Sequence, residues 1–166
     1  MDKNIIAKEF LRILDADVVA TRKCLERITE KFYGYKPHDK SMIMGSLAQV
    51  VAEIPKWIAV TIEKGEVNFA TWEKYNLTTT ADLIKFFSEN VKMAEKALKN
   101  TTDEELEKMF YLKSGDKELM KSSRRDSVAQ SLMHWAHHRG QLTVYMRLNG
   151  IPVPAIYGPS ADEKEF

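Results

Sequence analysis

The sequence predicts an all-α domain: a four-helix bundle with a short extra helix or hairpin before the last long helix and an extended C-terminal tail. Three observations carry that prediction. Apolar side chains recur at helical spacing over four long stretches. Only 7 glycines and 5 prolines punctuate 166 residues, too few for a many-turned β architecture. The length fits one domain, taken as residues 1–166, and a hydrophobic content of 44% is enough to bury a core.

The first helix is expected over residues 3–32, ending near Tyr33-Gly34, where Ile6, Phe10, Leu14, Val18, Leu25, Ile28 and Phe32 form a stripe. Lys36-Pro37 breaks the path after Gly34. A second helix is expected from Ser41, a good N-cap residue, to about Glu63, with Gly65 beyond it. Pro55 lies inside that helix, where it removes one backbone hydrogen bond and crowds the carbonyl of Val51, so a kink is expected. Residues 65–79 lose periodicity but keep Phe69, Trp72 and Tyr75, the pattern of a loop that packs its aromatics on the bundle.

Thr79 with Asp82, and Thr102 with Glu105, read as capping boxes. The first opens a helix that buries Leu83, Phe86, Phe87, Val91, Ala94 and Leu98 and stops near Asn100; the second opens a short helix to about Phe110. Residues 111–123, centred on Ser114-Gly115-Asp116, read as a turn or small hairpin. The last long helix runs from about Asp126 to Asn149 with Gly150 closing it. Pro152, Pro154 and Pro159 then impose an extended path over the bundle.

Charge and cysteine content exclude several function classes. Lys plus Arg number 25 and Asp plus Glu 24, a net charge of +1 that gives no general pull towards nucleic acid or anionic lipid. The single cysteine, Cys24, has no internal disulfide partner, which fits a reducing compartment. The stretch after Met1-Asp2 is charged and amphipathic, unlike a secretion signal, and the apolar run 47–62 is interrupted by Glu53, Pro55 and Lys56. A cytoplasmic protein with neither a nucleic-acid nor a membrane partner is the expectation.

Three of the four histidines fall within five residues, in His134-Trp135-Ala136-His137-His138. Residues four apart on a helix are separated by about 40° in azimuth and about 6 Å along the axis. His134 and His138 therefore share one side, the geometry a divalent ion needs from two imidazoles, whereas His137 is turned away by about 100°. Val128, Ser131, Trp135, Leu142 and Tyr145 mark the bundle-facing stripe, and the two histidines lie on or beside it, expected to look inward. An isolated pair at this spacing is also the pattern of hydrogen-bonded core or boundary histidines, and Trp135 stands where a zinc-protease helix has Glu.

The string from His134 through Arg139-Gly140-Gln141-Leu142, Tyr145, Arg147, Gly150, Pro152 and Pro154 resembles the C-terminal signature of the DinB/YfiT-like family. Tyr157-Gly158-Pro159-Ser160 and the segment from Gly45 to Trp57 around Pro55 are similar to its tail and second helix. The resemblance covers nearly the whole chain. It implies an up-down-down-up bundle, a homodimer, and a divalent ion (zinc, nickel or manganese) held by three histidines, two of them at His134 and His138. The third belongs to the second helix, where this sequence has Val50, a side chain that binds no metal. Glu53 lies one turn on and offers a carboxylate; Gln49 and His38 are weaker substitutes. The resemblance thus implies either a metal-dependent thiol transferase or hydrolase, or a small-molecule-binding dimer whose metal is weakened or lost. The family name refers to damage induction, hence a stress-response expectation, and implies no contact with DNA.

The remaining candidates have plain structural readings. Cys24 reads as a buried hydrophobe, Arg124-Arg125 as a solvated pair, and Arg139 as the partner of a carboxylate on another helix. Tyr145 reads as a packed tyrosine with a satisfied hydroxyl, and Met42, Met44, Met133 and Met146 as fillers of core or dimer gaps.

Overall fold

Helix α1 (Ile5–Arg27) takes its N-terminal cap from elsewhere in the chain. The Asp103 carboxylate accepts the backbone N–H groups of Ile5, Ile6 and Ala7 at 3.0, 3.0 and 3.3 Å, placing an anion where a helix start favours one. The computed structural model describes residues 3–164, so Met1-Asp2 of the N-terminal stretch read above lie outside the described residues. The first helix ends at Arg27 and not near Tyr33-Gly34, because Ile28 is extended; a single 3₁₀ turn (Glu30–Phe32) then reverses the chain into α2 (Met44–Lys64). Ser41 is not the cap of α2: Ile43 holds that position, and the carbonyls of Tyr35 and Tyr33 take the N–H groups of Met44 and Gly45 at 2.7 and 2.9 Å. The returning turn supplies the acceptors that a serine hydroxyl would otherwise provide.

Gly65 closes α2 at φ +67°, and a Cβ there would stand 2.6 Å from the Arg124 guanidinium. That guanidinium is half-buried and donates to the Ile62 carbonyl at 2.7 Å, so Arg124 caps α2 and is not a solvated neighbour of Arg125. Arg125 is the more exposed of the two, paired with Glu107 at 2.7 Å. Helix α3 (Thr80–Asn100) opens as the sequence predicts, with Thr79 Oγ1 accepting the Asp82 N–H at 3.1 Å. Its six predicted apolar residues are all buried.

Helix α4 (Asp103–Glu107) stops short of Phe110 because the chain turns into a strand. Strands β2 (Met109–Ser114) and β3 (Lys117–Ser123) pair antiparallel around Gly115 at φ +60°, realising the hairpin. A third strand, β1 (Glu66–Asn68), pairs parallel to β2 with Glu66 opposite Tyr111. The all-α expectation is corrected accordingly: the chain is mostly helical with a small mixed sheet in the order β1-β2-β3. Three residues leave no room for a readable alternation, and β1 exists only because β2 lies beside it. Asn68 anchors the tip, bonding the Gly115 N–H and carbonyl at 2.9 and 3.0 Å. Helix α5 (Arg124–Leu148) begins two residues earlier than predicted, capped by Ser123, and ends in the left-handed Gly150.

The main core lies among the four long helices, α2 packing on α3 and α5, and α1 on α3 and α5. Pro55 leaves the Val51 carbonyl without its helical donor, and the fully buried Trp135 supplies one: its Nε1–H donates to that oxygen at 2.9 Å. Asn90 Nδ2 likewise donates to the Ala52 carbonyl at 2.9 Å. The first bond fixes the middle of α2 beside α5 and the second fixes it beside α3. A smaller cluster of Val60, Val67 and Phe110 joins the sheet to the far end of α2, with Trp57 and Trp72 against it. Among the described residues no helix is long and apolar enough to cross a membrane.

The proline-rich tail is clasped to the bundle by two carboxylates. Asp162 accepts from Arg147 and from the Val153 N–H at 2.8 Å, while Glu163 accepts from Arg27, from Lys23 at 3.2 Å and from the Ala155 N–H at 3.1 Å. Arg27 first, then the Ala155 amide, hold the Glu163 carboxyl down to about 2 from its ordinary 4.5. A carboxyl with a depressed folded value stabilises above its unfolded value, and that contribution is lost as pH falls through the folded one. Wild type is therefore expected to melt above Glu163→Gln at pH 6, with the gap closing between 4.5 and about 2. Thermal melts of both proteins across that range check it; a gap that persists unchanged to pH 2 contradicts the assignment.

Candidate functional site

His134 and His138 project from consecutive turns of α5, and the structure brings their rings together. Their Nε2 atoms are 2.6 Å apart and the ring centroids 4.3 Å apart. His137 meets His138 edge-on, with centroids 5.1 Å apart. The pair does not look into the bundle as expected: His134 is exposed and His138 half-buried. The bundle-facing positions of this turn belong to Trp135, Arg139 and Leu142, each at most 1% exposed, and that displaces the imidazoles to the rim.

The hydrogen-bond network fixes the protons. Gln141 Oε1 lies 2.8 Å from His138 Nδ1 and, as an acceptor, requires that nitrogen to carry the proton. His138 Nε2 is then a lone pair and receives the Nε2–H of His134, which leaves Nδ1 of His134 as the free base of the pair. Burial first, then the neighbouring His138 and His137, push the His134 imidazolium below its ordinary 6.5. His134 is thus mainly neutral at pH 7 and presents Nδ1 as a lone pair.

The donor set does not fit a three-ligand metal centre. Across a tetrahedral ion bound at 2.0–2.1 Å, two ligand nitrogens stand about 3.3 Å apart; the observed 2.6 Å is a hydrogen bond. Among the described residues no three His, Cys, Asp or Glu side chains converge to hold an ion. Val50 is half-buried and packs on the main core. Glu53 is half-buried and bonded to Trp72, whose Nε1–H donates to Oε1 at 2.8 Å. Burial raises its carboxyl above the ordinary value, against the pull of Trp72 and Lys56. Gln49 is spent on the backbone of the 69–78 loop, donating to the Tyr75 carbonyl at 3.0 Å and accepting the Leu77 N–H at 3.3 Å. His38 is exposed and accepts the Lys40 N–H at 3.1 Å within its own turn.

Arg139, beside the pair, is structural. It is 1% exposed and bonds Asp17 of α1 at 3.3 Å, Thr21 at 2.9 Å and the Tyr157 hydroxyl of the tail at 2.5 Å. Tyr145 donates to the Met42 carbonyl at 3.1 Å and meets Tyr35 edge-on. Cys24 is fully buried, and burial pushes its thiol up to about 11, far from a nucleophile. Of the four methionines named above, Met44 and Met146 fill the core, whereas Met42 and Met133 are exposed.

Sequence reasoning missed what lies beside His134. A cavity of about 320 Å³ opens between α2, α5 and the sheet, with His134, Gln130 and Ser131 on the α5 side. Its opposite wall comes from the hairpin, whose register no local signal reveals. The one available clue was the aromatic content of residues 57–72.

A model of the DinB family matches residues 1–165. An uncharacterized protein of Bacillus subtilis, YrdA, is 28% identical over 162 residues, covering 93% of this chain and 89% of that one. The solved structure of the DinB-like protein YjoA from Bacillus subtilis superposes with a TM-score of 0.68 at 22% identity, covering 87% of this chain and 96% of that chain. A DinB-like protein from Bacillus cereus also gives 0.68, at 21% identity over 95% of this chain and 100% of that one.

Proposed function

The chain belongs to the DinB family, and from that premise we propose that it is a cytoplasmic, homodimeric small-molecule-binding member of the up-down-down-up bundle type. In this reading the family's metal centre is reduced to an imidazole pair. One observation carries it: His134 and His138 bond to each other at 2.6 Å while the position of the third ligand is Val50. An imidazole pair whose expected third partner is replaced by valine is a hydrogen-bonding group beside an apolar cavity, and it is two donors short of a closed metal site.

The test is metal analysis of protein purified without a histidine tag. Less than about a tenth of an equivalent is expected, with no gain on adding zinc, manganese or nickel, and Val50→His should restore binding. A full equivalent in the wild type, lost in His138→Ala, would overturn the reading. A second reading is a divalent-metal-dependent thiol transferase or hydrolase using His134, His138 and Glu53. It is supported by Gln141, which holds His138 in the tautomer a ligand needs, with the proton on Nδ1 and the Nε2 lone pair turned to the His134 ring. That reading predicts that Glu53→Gln lowers metal content, whereas the first predicts no change.

A further inference from the structure

The cavity beside His134 has a composition that restricts what can enter it. Trp57, Phe69, Phe110, Leu112 and Met120 form one continuous wall, with Trp57 and Phe69 ring centroids 5.7 Å apart. No Lys, Arg, Asp or Glu lines it. The polar contribution comes almost wholly from α5, one helical face carrying Gln130, Ser131 and His134. Ser131 is committed to the Ser127 carbonyl at 2.9 Å, but the Gln130 amide makes no hydrogen bond among the described residues. Its volume of about 320 Å³ lies at the small end of the range for ligand sites.

The hairpin gives the cavity its reason. Phe110 belongs to the small second core cluster, and Leu112 and Met120 pack against that cluster without joining the main core. The sheet therefore stands off the bundle as a wall, and the space between the two clusters is not closed by repacking. A charged ligand entering here would shed its hydration against aromatic rings with no counter-charge. A flat ring would instead meet the Trp57 and Phe69 faces in tilted or offset contact.

We propose that this cavity binds an uncharged, ring-bearing molecule with a single hydrogen-bonding group turned to Gln130 and His134. The proposal rests on the small-molecule reading above and adds the ligand class to it. In that pose the polar end of the ligand lies beside the imidazole pair.

Two dyes of one skeleton test this: uncharged N-phenyl-1-naphthylamine and its anionic relative 8-anilino-1-naphthalenesulfonate. Dye fluorescence and calorimetry are expected to show one saturable site for the neutral compound, with the sulfonate weaker by about tenfold or more. Ser131→Trp, which fills the cavity, should abolish binding of the neutral dye. Gln130→Lys, an exposed substitution that leaves the core intact, should strengthen sulfonate binding by about tenfold, and it locates the dye even if Ser131→Trp does not fold. Equal binding of the two dyes, or binding of neither, overturns the ligand class. Neutral-dye binding that both variants leave unchanged overturns the location. None of these results alters metal content, so failure here is distinguishable from failure of the histidine reading.

Discussion

Arg139→Ala is expected to lower unfolding free energy by about 3–5 kcal/mol, the usual cost of removing one member of a buried ion pair. Asp17 would remain buried with its Oδ2 facing the gap 3.3 Å from where the guanidinium stood. The tail would lose its hold as well, because Tyr157 bonds both Arg139 and Asp17 Oδ2, the latter at 3.0 Å. The guanidinium also packs over the Trp135 and Tyr157 rings at 5.9 and 5.0 Å, contacts that alanine forfeits. Urea unfolding with an unchanged m-value measures the loss. A loss below about 1 kcal/mol would mean that the network's desolvation nearly cancels its attraction.

Trp135→Ala should be comparably severe, about 3–5 kcal/mol, through the cavity it leaves at the α2–α5 contact. Part of that figure is polar, and a double-mutant cycle separates it. Trp135→Phe keeps most of the volume but leaves the Val51 carbonyl buried without a donor, for about 1–3 kcal/mol. Replacing Pro55 by Ala at the same time supplies an N–H to that carbonyl along the helix. The pair Trp135→Phe with Pro55→Ala is thus expected to be more stable than the sum of the single variants predicts, by about 1 kcal/mol. Simple additivity would show that the indole bond is not what compensates the proline.

The local signals in the sequence transferred where the structure uses local physics. The Thr79 and Thr102 caps, the buried stripe of α3 and the Gly150 stop all follow from spacing and residue type. Where a partner distant in sequence supplies the missing group, the signals fail. Ser41 looked like a cap, but Tyr33 and Tyr35 carbonyls do that work; Arg124 looked solvated, but it closes the end of α2. Strand β1 is invisible for the same reason, since its hydrogen bonds belong to β2.

For the candidate site the division is similar. Helical periodicity alone determined that His134 and His138 share a side and that His137 lies off it, because an azimuth of about 100° per residue leaves no alternative. The resemblance in sequence singled out Val50 as the departure. Only the tertiary structure decided that the pair sits at the rim with its Nε2 atoms 2.6 Å apart, since burial depends on which side chains of α5 win the bundle face. Trp135 and Arg139 win it, one by donating to a carbonyl that a proline 80 residues earlier had orphaned, the other by pairing with Asp17. The apolar cavity beside His134 is likewise a product of assembly: its walls come from two helices and a hairpin whose juxtaposition no single stretch of the chain encodes.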